Sequence, residues 1–341
     1  MICASERELD RAAILNEEAG SLYRFVKLAW HAVESGEFVD NWHIGVVCEY
    51  LEAVSRGDIR DLVINEPPGC MKSLIVSVFW PVWEWLRRPK TKWLYASYGP
   101  KLSIRDGDRT LKLLLSDWFV GTFVAIPDDD RPACLKYRGL VGKSAHAAGY
   151  FVNQGGGFRF ATSVGGAATG FHSDIQVVDD PIKPLDIATG KVSATAQMLR
   201  KVIEWYKGTM SNRRADAKTF RRVLVMQRLD HGDLSEELLG QGFHHLCLPM
   251  EYTKKVCVCL NPKCTPEDPR TEEGELLFPK RFPREVVDAD RTIALGPSNH
   301  AAQNNQRPNE TGGGIFKANW WRYWAPEPET LIPYDIGYPC R

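Results

Sequence analysis

A lysine followed by a serine stands at the mouth of an apolar run, directly after a Pro-Pro-Gly turn, in the segment NEPPGCMKSLIVSVFWPVW. At the start of a helix, a lysine can neutralise phosphate oxygens and a serine hydroxyl can bind magnesium, while backbone N–H groups point at the phosphates. The order strand, turn, lysine, serine, helix predicts a loop that binds a nucleotide's phosphates. The residues predicted to form this loop are Pro68, Gly69, Cys70, Met71, Lys72 and Ser73.

The usual spacing of such a loop, G-x-x-x-x-G-K-[ST], is broken, because Glu66 and Met71 stand where the two glycines belong. Phosphate is contacted by the backbone amide, so methionine does not prevent binding, although it adopts a positive φ only at a cost. On this stretch alone, a second interpretation stays open. Lys72 and Ser73 could simply begin an apolar helix after a Pro-Gly turn.

A second segment, SDIQVVDDP, is a near-apolar strand that ends in Asp179 and Asp180. In this arrangement a first aspartate holds magnesium and a second acid orients and deprotonates the attacking water. A strand followed by Asp-Asp-Pro is often only a turn. Together with the lysine-serine loop upstream, it predicts the two ends of a magnesium-nucleotide site.

A third segment, RVLVMQRLDHGDLSEELL, is another buried strand, which ends in Gln227 and Arg228 and precedes a helix opened by Asp233. In motor ATPases, the strand next to the acidic one ends in a polar sensor of the γ-phosphate. We therefore predict that Gln227 and Arg228 couple hydrolysis to movement. The alternative is that Arg228 is a surface ion-pair partner.

Short apolar runs alternate with amphipathic helical patterns after residue 57, which predicts a mostly parallel sheet with helices on both faces. The fold class is α/β, a P-loop ATPase of the ASCE class. Residues 60–250 form the predicted core and residues 251–341 a small lid or linker subdomain. The helical residues 1–59 are expected to be a polar-faced cover rather than part of the core.

The formal charge is zero, with 43 basic and 43 acidic side chains, so a nucleic acid would have to be held by a local patch. The segment NRRADAKTFRR (212–222) is the best candidate for contact with DNA phosphates, although it could equally be a solvated loop.

The apolar run 74–86 is too short and too interrupted to span a bilayer. The first residues lack the features of a signal peptide, so we expect a cytoplasmic protein with no membrane partner.

Five segments together resemble the large terminase subunit of tailed bacteriophages, the ATPase that pumps DNA into proheads, over about residues 41–324. They are PPGCMKSLIVSVFWPVWEW, SYGPKLSIRDGDRTLKLL, ATSVGGAATGFHSDIQVVDDPIKP, MQRLDHGDLSEELL and NQRPNETGGGIFKANWWRYW. The resemblance implies magnesium-dependent ATP hydrolysis that drives double-stranded DNA into a prohead. It also implies a portal protein and a small terminase subunit as partners, a ring of copies on the portal, and the cytoplasm of an infected bacterium as the location.

The resemblance also implies roles for individual residues. Lys72 binds the phosphates, Ser73 and Asp179 hold magnesium, Asp180 is the catalytic carboxylate, and Gln227 and Arg228 lie in the coupling segment. Related ATPases seat the adenine upstream of the loop, which makes Trp42 and His43 candidates for a cover on the base.

Many members of that family carry an arginine in the loop where this chain has Gly69, which leaves the transition state short of one positive donor. Arg105 and Arg109, four residues apart on one helix face, are candidates to supply it in cis or from a neighbouring subunit. They could equally be solvated helix arginines.

Large terminases usually continue into an RNase H-like nuclease, whereas this sequence stops near that domain's expected first strand. We therefore expect no nuclease activity from these residues and assign no metal to Asp335. A truncation, an interrupted gene and a separate nuclease polypeptide remain open. Cys257, Cys259 and Cys264 lack the paired spacing of common zinc ribbons, so reduced thiols are favoured over zinc.

Two rival functions remain. One is a nucleic-acid helicase of the same ATPase class, and the other is a docking or DNA-binding module without turnover.

Overall fold

The computed structural model describes residues 4–15, 21–124, 149–166, 168, 170–183, 192–253 and 268–308. A seven-stranded sheet lies at its centre, with the order β3-β4-β2-β5-β6-β1-β7. The strands are β1 (Asp61–Asn65), β2 (Trp93–Ser97), β3 (Tyr150–Val152), β4 (Phe158–Ser163), β5 (Ile175–Asp179), β6 (Arg221–Met226) and β7 (His244–Cys247). All neighbouring pairs are parallel except β3 and β4, which are antiparallel. This confirms the predicted α/β class with a mostly parallel sheet.

Ten helices are described in this part of the chain, several of which continue into a π-helical turn. They are α1 (Ala4–Leu15), α2 (Ser21–Val33), α3 (Trp42–Arg56), α4 (Lys72–Leu74, Ile75–Phe79 and Trp80–Trp85), α5 (Pro100–Leu114), α6 (Asp117–Phe119 and Val120–Val124), α7 (Val192–Trp205 and Tyr206–Met210), α8 (Leu234–Gly240), α9 (Arg284–Ala289 and Asp290–Ala294) and α10 (Gly296–Gln303). Within the described residues, no helix is both long and apolar enough to span a membrane.

The two faces of the sheet pack against different helices, because successive side chains of a strand point to opposite faces. In β1, Leu62 and Ile64 belong to an apolar cluster with α2, α3 and α4. Val63, between them, belongs to a second cluster with α7 and α8. Burial on both faces explains why these strands are continuous apolar runs in the sequence.

The N-terminal helices differ from their prediction as a polar-faced cover. Eleven residues of α3 are buried, and the α2 residues Leu22 and Phe25 are fully buried. The ring of Phe25 lies 6.4 Å from that of Phe79 in α4, and the Leu22 backbone N–H donates to Glu52 Oε1 at 2.7 Å. These helices therefore form the core on one sheet face, because their apolar stripes are wide enough to contact both α4 and each other.

The strand order separates the lysine-serine loop from the acidic strand by one strand, since β6 lies between β5 and β1. Asp179 pairs in register with Val225, and Asn65 pairs with Met226, so the carboxyl ends of all three strands meet at one edge. Buried Asn65 fixes this edge, because its Nδ2 donates to Met226 O at 3.0 Å and to Ser235 Oγ at 2.8 Å. Ligands of open α/β sheets bind outside such carboxyl ends.

The segment after β7 is joined to the sheet by backbone hydrogen bonds. Met250 N–H donates to Asn304 O at 2.8 Å, and Leu277 N–H donates to Met250 O at 2.7 Å. Glu251 then binds Arg284 at 2.6 Å and Arg291 at 2.5 Å, which fixes α9. The predicted residues Cys257, Cys259, Cys264 and Asp335 lie outside the described residues.

Candidate nucleotide-binding site

The loop between β1 and α4 contains two residues with a positive φ, Gly69 at +79° and Met71 at +74°. A Cβ at position 69 would stand 2.8 Å from Cζ of Phe282, so a larger residue there would be strained by the positive φ and would require the Phe282 ring to shift. Pro68 and Gly69 face a cavity that is also lined by Arg281 and Phe282.

Met71 adopts the left-handed backbone conformation, which is strained for a residue that has a side chain. The strain is about 1 to 2 kcal/mol relative to glycine. The Met71 side chain is 8% exposed and belongs to the core cluster. Burying a methionine side chain contributes about 1.5 to 3 kcal/mol, which is enough to offset the strain.

Two serine hydroxyls of the helix that follows the loop donate hydrogen bonds to the carboxylate of Asp179. Ser73 Oγ donates to Asp179 Oδ1 at 3.1 Å, and Ser77 Oγ donates to Asp179 Oδ2 at 3.1 Å. Ser77 lies in the π-helical turn Ile75–Phe79, a departure from α-helix that is frequent at functional sites. Both predicted magnesium ligands, Ser73 and Asp179, are therefore in direct contact.

The predicted phosphate lysine and catalytic carboxylate also meet. Lys72 Nζ lies 3.4 Å from Asp180 Oδ2, and Lys72 is 5% exposed. Asp180 has a φ of +43° and its backbone N–H donates to Val225 O at 2.9 Å. The backbone N–H of Gln227 donates to Asp180 Oδ1 at 3.4 Å, so the end of β6 contacts the acid at the end of β5.

Electrostatics at this edge are dominated by crowded carboxylates. Burial raises the pKa of Asp179, and the charges of Asp180 and Asp106 raise it further. Burial alone would lower the pKa of Lys72, but the carboxylates of Asp180 and Asp179 raise it overall. A cation bound beside Asp179 would relieve this crowding. The hydroxyl and carboxylate oxygens present are the ligands that Mg²⁺ prefers.

The two candidate arginines are separated by the structure. Arg105 lines a cleft of about 250 Å³ together with Ser73, Asp179 and Asp180. Its Nε donates to Asp106 Oδ1 at 2.9 Å, and about half of its side chain is exposed.

Arg109 is not among the residues that line this cleft. Its guanidinium lies 3.2 Å from Glu34 and 3.8 Å from Asp106. Arg105 is therefore the one of the pair that is positioned beside the predicted phosphate site.

The two residues predicted to cover a base do not behave alike. His43 is fully buried, with Nε2 3.1 Å from Cys70 O and its ring 5.0 Å from that of Phe278. The prediction that His43 covers a base is wrong in this structure, because no face of its ring is accessible. Trp42 is partly buried and its ring lies under the guanidinium of Arg270 at 5.4 Å, so its role stays a prediction.

The coupling candidates sit at the end of β6. Gln227 is 6% exposed, and its Oε1 is buried without a hydrogen-bond partner among the described residues. Arg228 Nε donates to Asp233 Oδ2 at 2.9 Å, while the backbone N–H of Arg228 donates to Gln306 Oε1 at 2.8 Å. Arg228 is thus paired with buried Asp233 and, through its Nη2, with half-exposed Glu236 at 3.1 Å, and it also joins the end of β6 to the segment after α10. The coupling role itself stays a prediction.

The sequence analysis missed Arg159 of β4, which is fully buried and lines the same cleft. Its guanidinium donates to Ser103 O at 3.3 Å and to Ser77 O at 3.5 Å, and lies 4.2 Å from the ring centroid of Tyr95. Burial lowers its pKa. The single signal in the sequence was a positive charge inside the aromatic strand FRFATS.

The basic segment 212–222 ends in the first two residues of β6, Arg221 and Arg222, and therefore lies at the amino end of the strands, opposite the predicted phosphate site. Arg214 and Lys218 are exposed, whereas Arg222 is bound to Asp61 at 2.6 Å. Contact between this segment and DNA stays a prediction.

No protein-family model matches the chain, and no curated protein sequence matches it. Among solved structures, the chain is similar to the large terminase of bacteriophage HK97, with a TM-score of 0.45 and 12% sequence identity. The match covers 83% of this chain and 53% of that terminase, so the chain spans about half the terminase's length. Similarity at this level concerns the course of the chain and carries no conclusion about activity.

The positive φ of Met71 predicts that glycine stabilises the fold more than alanine at this position, which is the reverse of the usual order in a helix. Both Met71→Gly and Met71→Ala remove the buried side chain, but only glycine adopts the native φ without strain. We expect Met71→Gly to be more stable than Met71→Ala by about 0.5 to 1 kcal/mol, measured by chemical denaturation.

Leu74 provides the matched control, because it has a helical φ of −63° in the same helix. There the alanine variant should be the more stable by about 1 kcal/mol. An alanine variant more stable than the glycine variant at position 71 would show that this residue is not left-handed in solution.

Proposed function

We propose that the chain is a magnesium-dependent ATPase. The observation that carries this proposal is the convergence of Lys72, Ser73, Asp179 and Asp180 at the carboxyl edge of the sheet, from two segments far apart in the sequence. A turn before a helix would account for the first pair, and a strand-end turn for the second. Neither accounts for the contact between them.

Each side chain has a role that suits phosphoryl transfer, which needs positioning and charge more than covalent help. The Lys72 ammonium neutralises the phosphate oxygens and, when it turns to them, frees the Asp180 carboxylate. Asp180 then accepts the proton of the attacking water. Its other oxygen stays oriented by the Gln227 N–H.

Ser73 and Asp179 would hold Mg²⁺, for which their oxygen donors are suited. The ion supplies positive charge to the phosphates when bound. Ser77 keeps the Asp179 carboxylate in place from the side of α4. Arg105, on the rim of the cleft, is the cis candidate for the positive donor that the loop lacks.

We further propose that hydrolysis drives double-stranded DNA into a prohead. Support for this narrower function comes from the resemblance of five ordered sequence segments to large terminases. The partners would be duplex DNA, a portal protein and a small terminase subunit, with copies of the chain arranged as a ring on the portal in the cytoplasm of an infected bacterium. Gln227 and Arg228 would transmit the state of the nucleotide, since the end of β6 touches both Asp180 and Gln306.

The ATPase proposal predicts turnover of ATP by the purified chain in the presence of magnesium, measured as phosphate release. Lys72→Ala and Asp180→Asn should each lower kcat by about 100-fold or more, because each removes charge that the transition state requires. Lys112→Ala, which removes a lysine from α5 away from the cleft, should leave the rate unchanged. Retained turnover in both site variants would refute the site, and absent ATP binding by the wild type would favour the docking-module alternative.

The positions of the two arginines predict unequal effects on the same assay. Arg105→Ala should reduce kcat by at least about 10-fold, because Arg105 lines the cleft beside Asp180. Arg109→Ala should cause a smaller loss, because that guanidinium is bound to Glu34. Equal losses, or a larger one for Arg109→Ala, would argue against a donor in cis at position 105.

The packaging proposal predicts that linear duplex DNA stimulates ATP hydrolysis. Because the contacts would be mainly to phosphates, stimulation should fall steeply between about 50 and about 200 mM salt. If the basic segment 212–222 binds the duplex, Arg214→Ala combined with Lys218→Ala should weaken the stimulation, whereas the exposed Arg24→Ala on α2 should not. Strand separation without duplex translocation would instead identify a helicase.

A further inference from the structure

Three potential metal ligands meet beneath the phosphate loop, at a place that the proposed hydrolysis does not use. The ligand atoms of His43, Glu66 and Cys70 all lie within 4.8 Å of one another, and the three residues are buried. Among the described residues, these three side chains form a cluster that could hold a metal ion. His43 comes from the start of α3, whereas Glu66 and Cys70 lie on either side of the turn at residues 67–69.

Glu66 is the least explained member of the group. Its side chain has no exposed surface, and neither carboxylate oxygen has a hydrogen-bond partner in the described part of the chain. The nearest basic group is His43 Nε2, 3.4 Å from Oε1. Lys72 forms its ion pair with Asp180 instead, and its charge acts on Glu66 from beyond ion-pair distance. A buried carboxylate without partners costs several kcal/mol if it is charged.

Ion pairing within the chain does not neutralise this carboxylate, because burial outweighs the lowering effect of the Lys72 charge on its pKa. Burial lowers the pKa of His43 to about 4, so its ring is neutral near pH 7, the charge state in which histidine binds metals. Burial also raises the pKa of Glu66 to about 8 and that of the Cys70 thiol well above its usual range. A divalent cation would stabilise the ionised forms of both acids at once.

We propose that His43, Glu66 and Cys70 form a structural zinc site under the phosphate loop. One nitrogen, one oxygen and one sulfur donor suit zinc, and the sulfur disfavours magnesium and calcium. Tetrahedral zinc holds its donors about 3.3 to 3.8 Å apart, so side-chain movements of about 1 Å close the site. Cys70 O, 3.1 Å from His43 Nε2, is close enough to complete the donor set.

The site would act on the shape of the loop. Its two loop ligands flank Pro67, Pro68 and Gly69, so one ion would fix both ends of the turn that aims backbone N–H groups at phosphate. His43 then anchors the turn to α3. Asn41 contributes from the second side, since its Nδ2 contacts His43 Nδ1 and also donates to Leu277 O at 2.8 Å. Asn41 Nδ2 is a donor, so His43 Nδ1 accepts in the metal-free form. Metal binding at Nε2 would require the ring proton to move from Nε2 to Nδ1 and the Asn41 amide to turn its oxygen to it.

The test is the metal content of the full chain, expressed in zinc-supplemented medium, freed of loosely bound ions with a chelator and measured by mass spectrometry. We expect about one zinc ion per chain in the wild type. Cys70→Ser and Glu66→Gln should each lose it. The glutamine variant keeps the size of the side chain and has no charge to desolvate, so it should fold.

Two controls separate this site from other thiols. Cys247→Ser alters a buried cysteine outside the group and should keep the zinc. The triple variant Cys257→Ser, Cys259→Ser and Cys264→Ser should also keep it. Zinc that is lost from the latter variant and kept in Cys70→Ser would belong to the cysteine segment and would overturn the proposal.

Cobalt reports on the sulfur ligand directly, because a thiolate bound to cobalt gives a charge-transfer band that can be measured in the folded wild type. The band should appear in protein grown with cobalt and be absent from Cys70→Ser. Zinc should also raise the Tm of the metal-free wild type by at least about 3 °C and leave that of Glu66→Gln unchanged. A wild type that carries neither zinc nor a cobalt band would overturn the proposal, whatever its ATPase activity.

Discussion

The ion pair between Lys72 and Asp180 is the interaction on which the geometry of the site depends. Parallel strands bring their carboxyl ends to one edge, and in this chain those ends carry acids, so negative charge accumulates in a place with little solvent. A single buried ammonium group offsets much of it, since an uncompensated buried charge would cost several kcal/mol. The preceding loop is left-handed at Gly69 and Met71, and this backbone conformation positions Lys72 at the carboxyl edge of the sheet.

A second buried cation, Arg159, supports one wall of the cleft. Arg159 has no carboxylate within ion-pair distance among the described residues, and it instead joins the backbones of α4 and α5 through the carbonyls of Ser77 and Ser103. The wall of the cleft is therefore fixed by an arginine that is itself inaccessible, while Arg105 at the rim keeps half of its side chain in solvent. This division places rigid side chains around Asp179 and an adaptable one on the rim.

The parts of this arrangement that could be predicted were local in the chain. Lys72 and Ser73 follow a strand and a turn, Asp179 and Asp180 end a strand, and parallel strands must bring such ends together, so the encounter follows from order alone. Burial depth does not follow from order. His43 is predicted to cover a base, yet it is fully buried, and the ring of Phe278, more than two hundred residues later, lies 5.0 Å from its own. The burial of α2 and α3, and the place of Arg159, likewise depend on which elements become neighbours, and neither local spacing nor composition encodes this.

Met71 shows that a left-handed residue before the lysine can be maintained in two chemically different ways. Glycine adopts the conformation without strain and contributes no side chain, whereas methionine adopts it under strain and compensates by packing into the core. A substitution from one to the other is neutral only if a neighbouring apolar space opens or closes at the same time. A sequence signature that requires glycine at this position would therefore overlook this loop, although its backbone angle at residue 71 is one that glycine adopts readily.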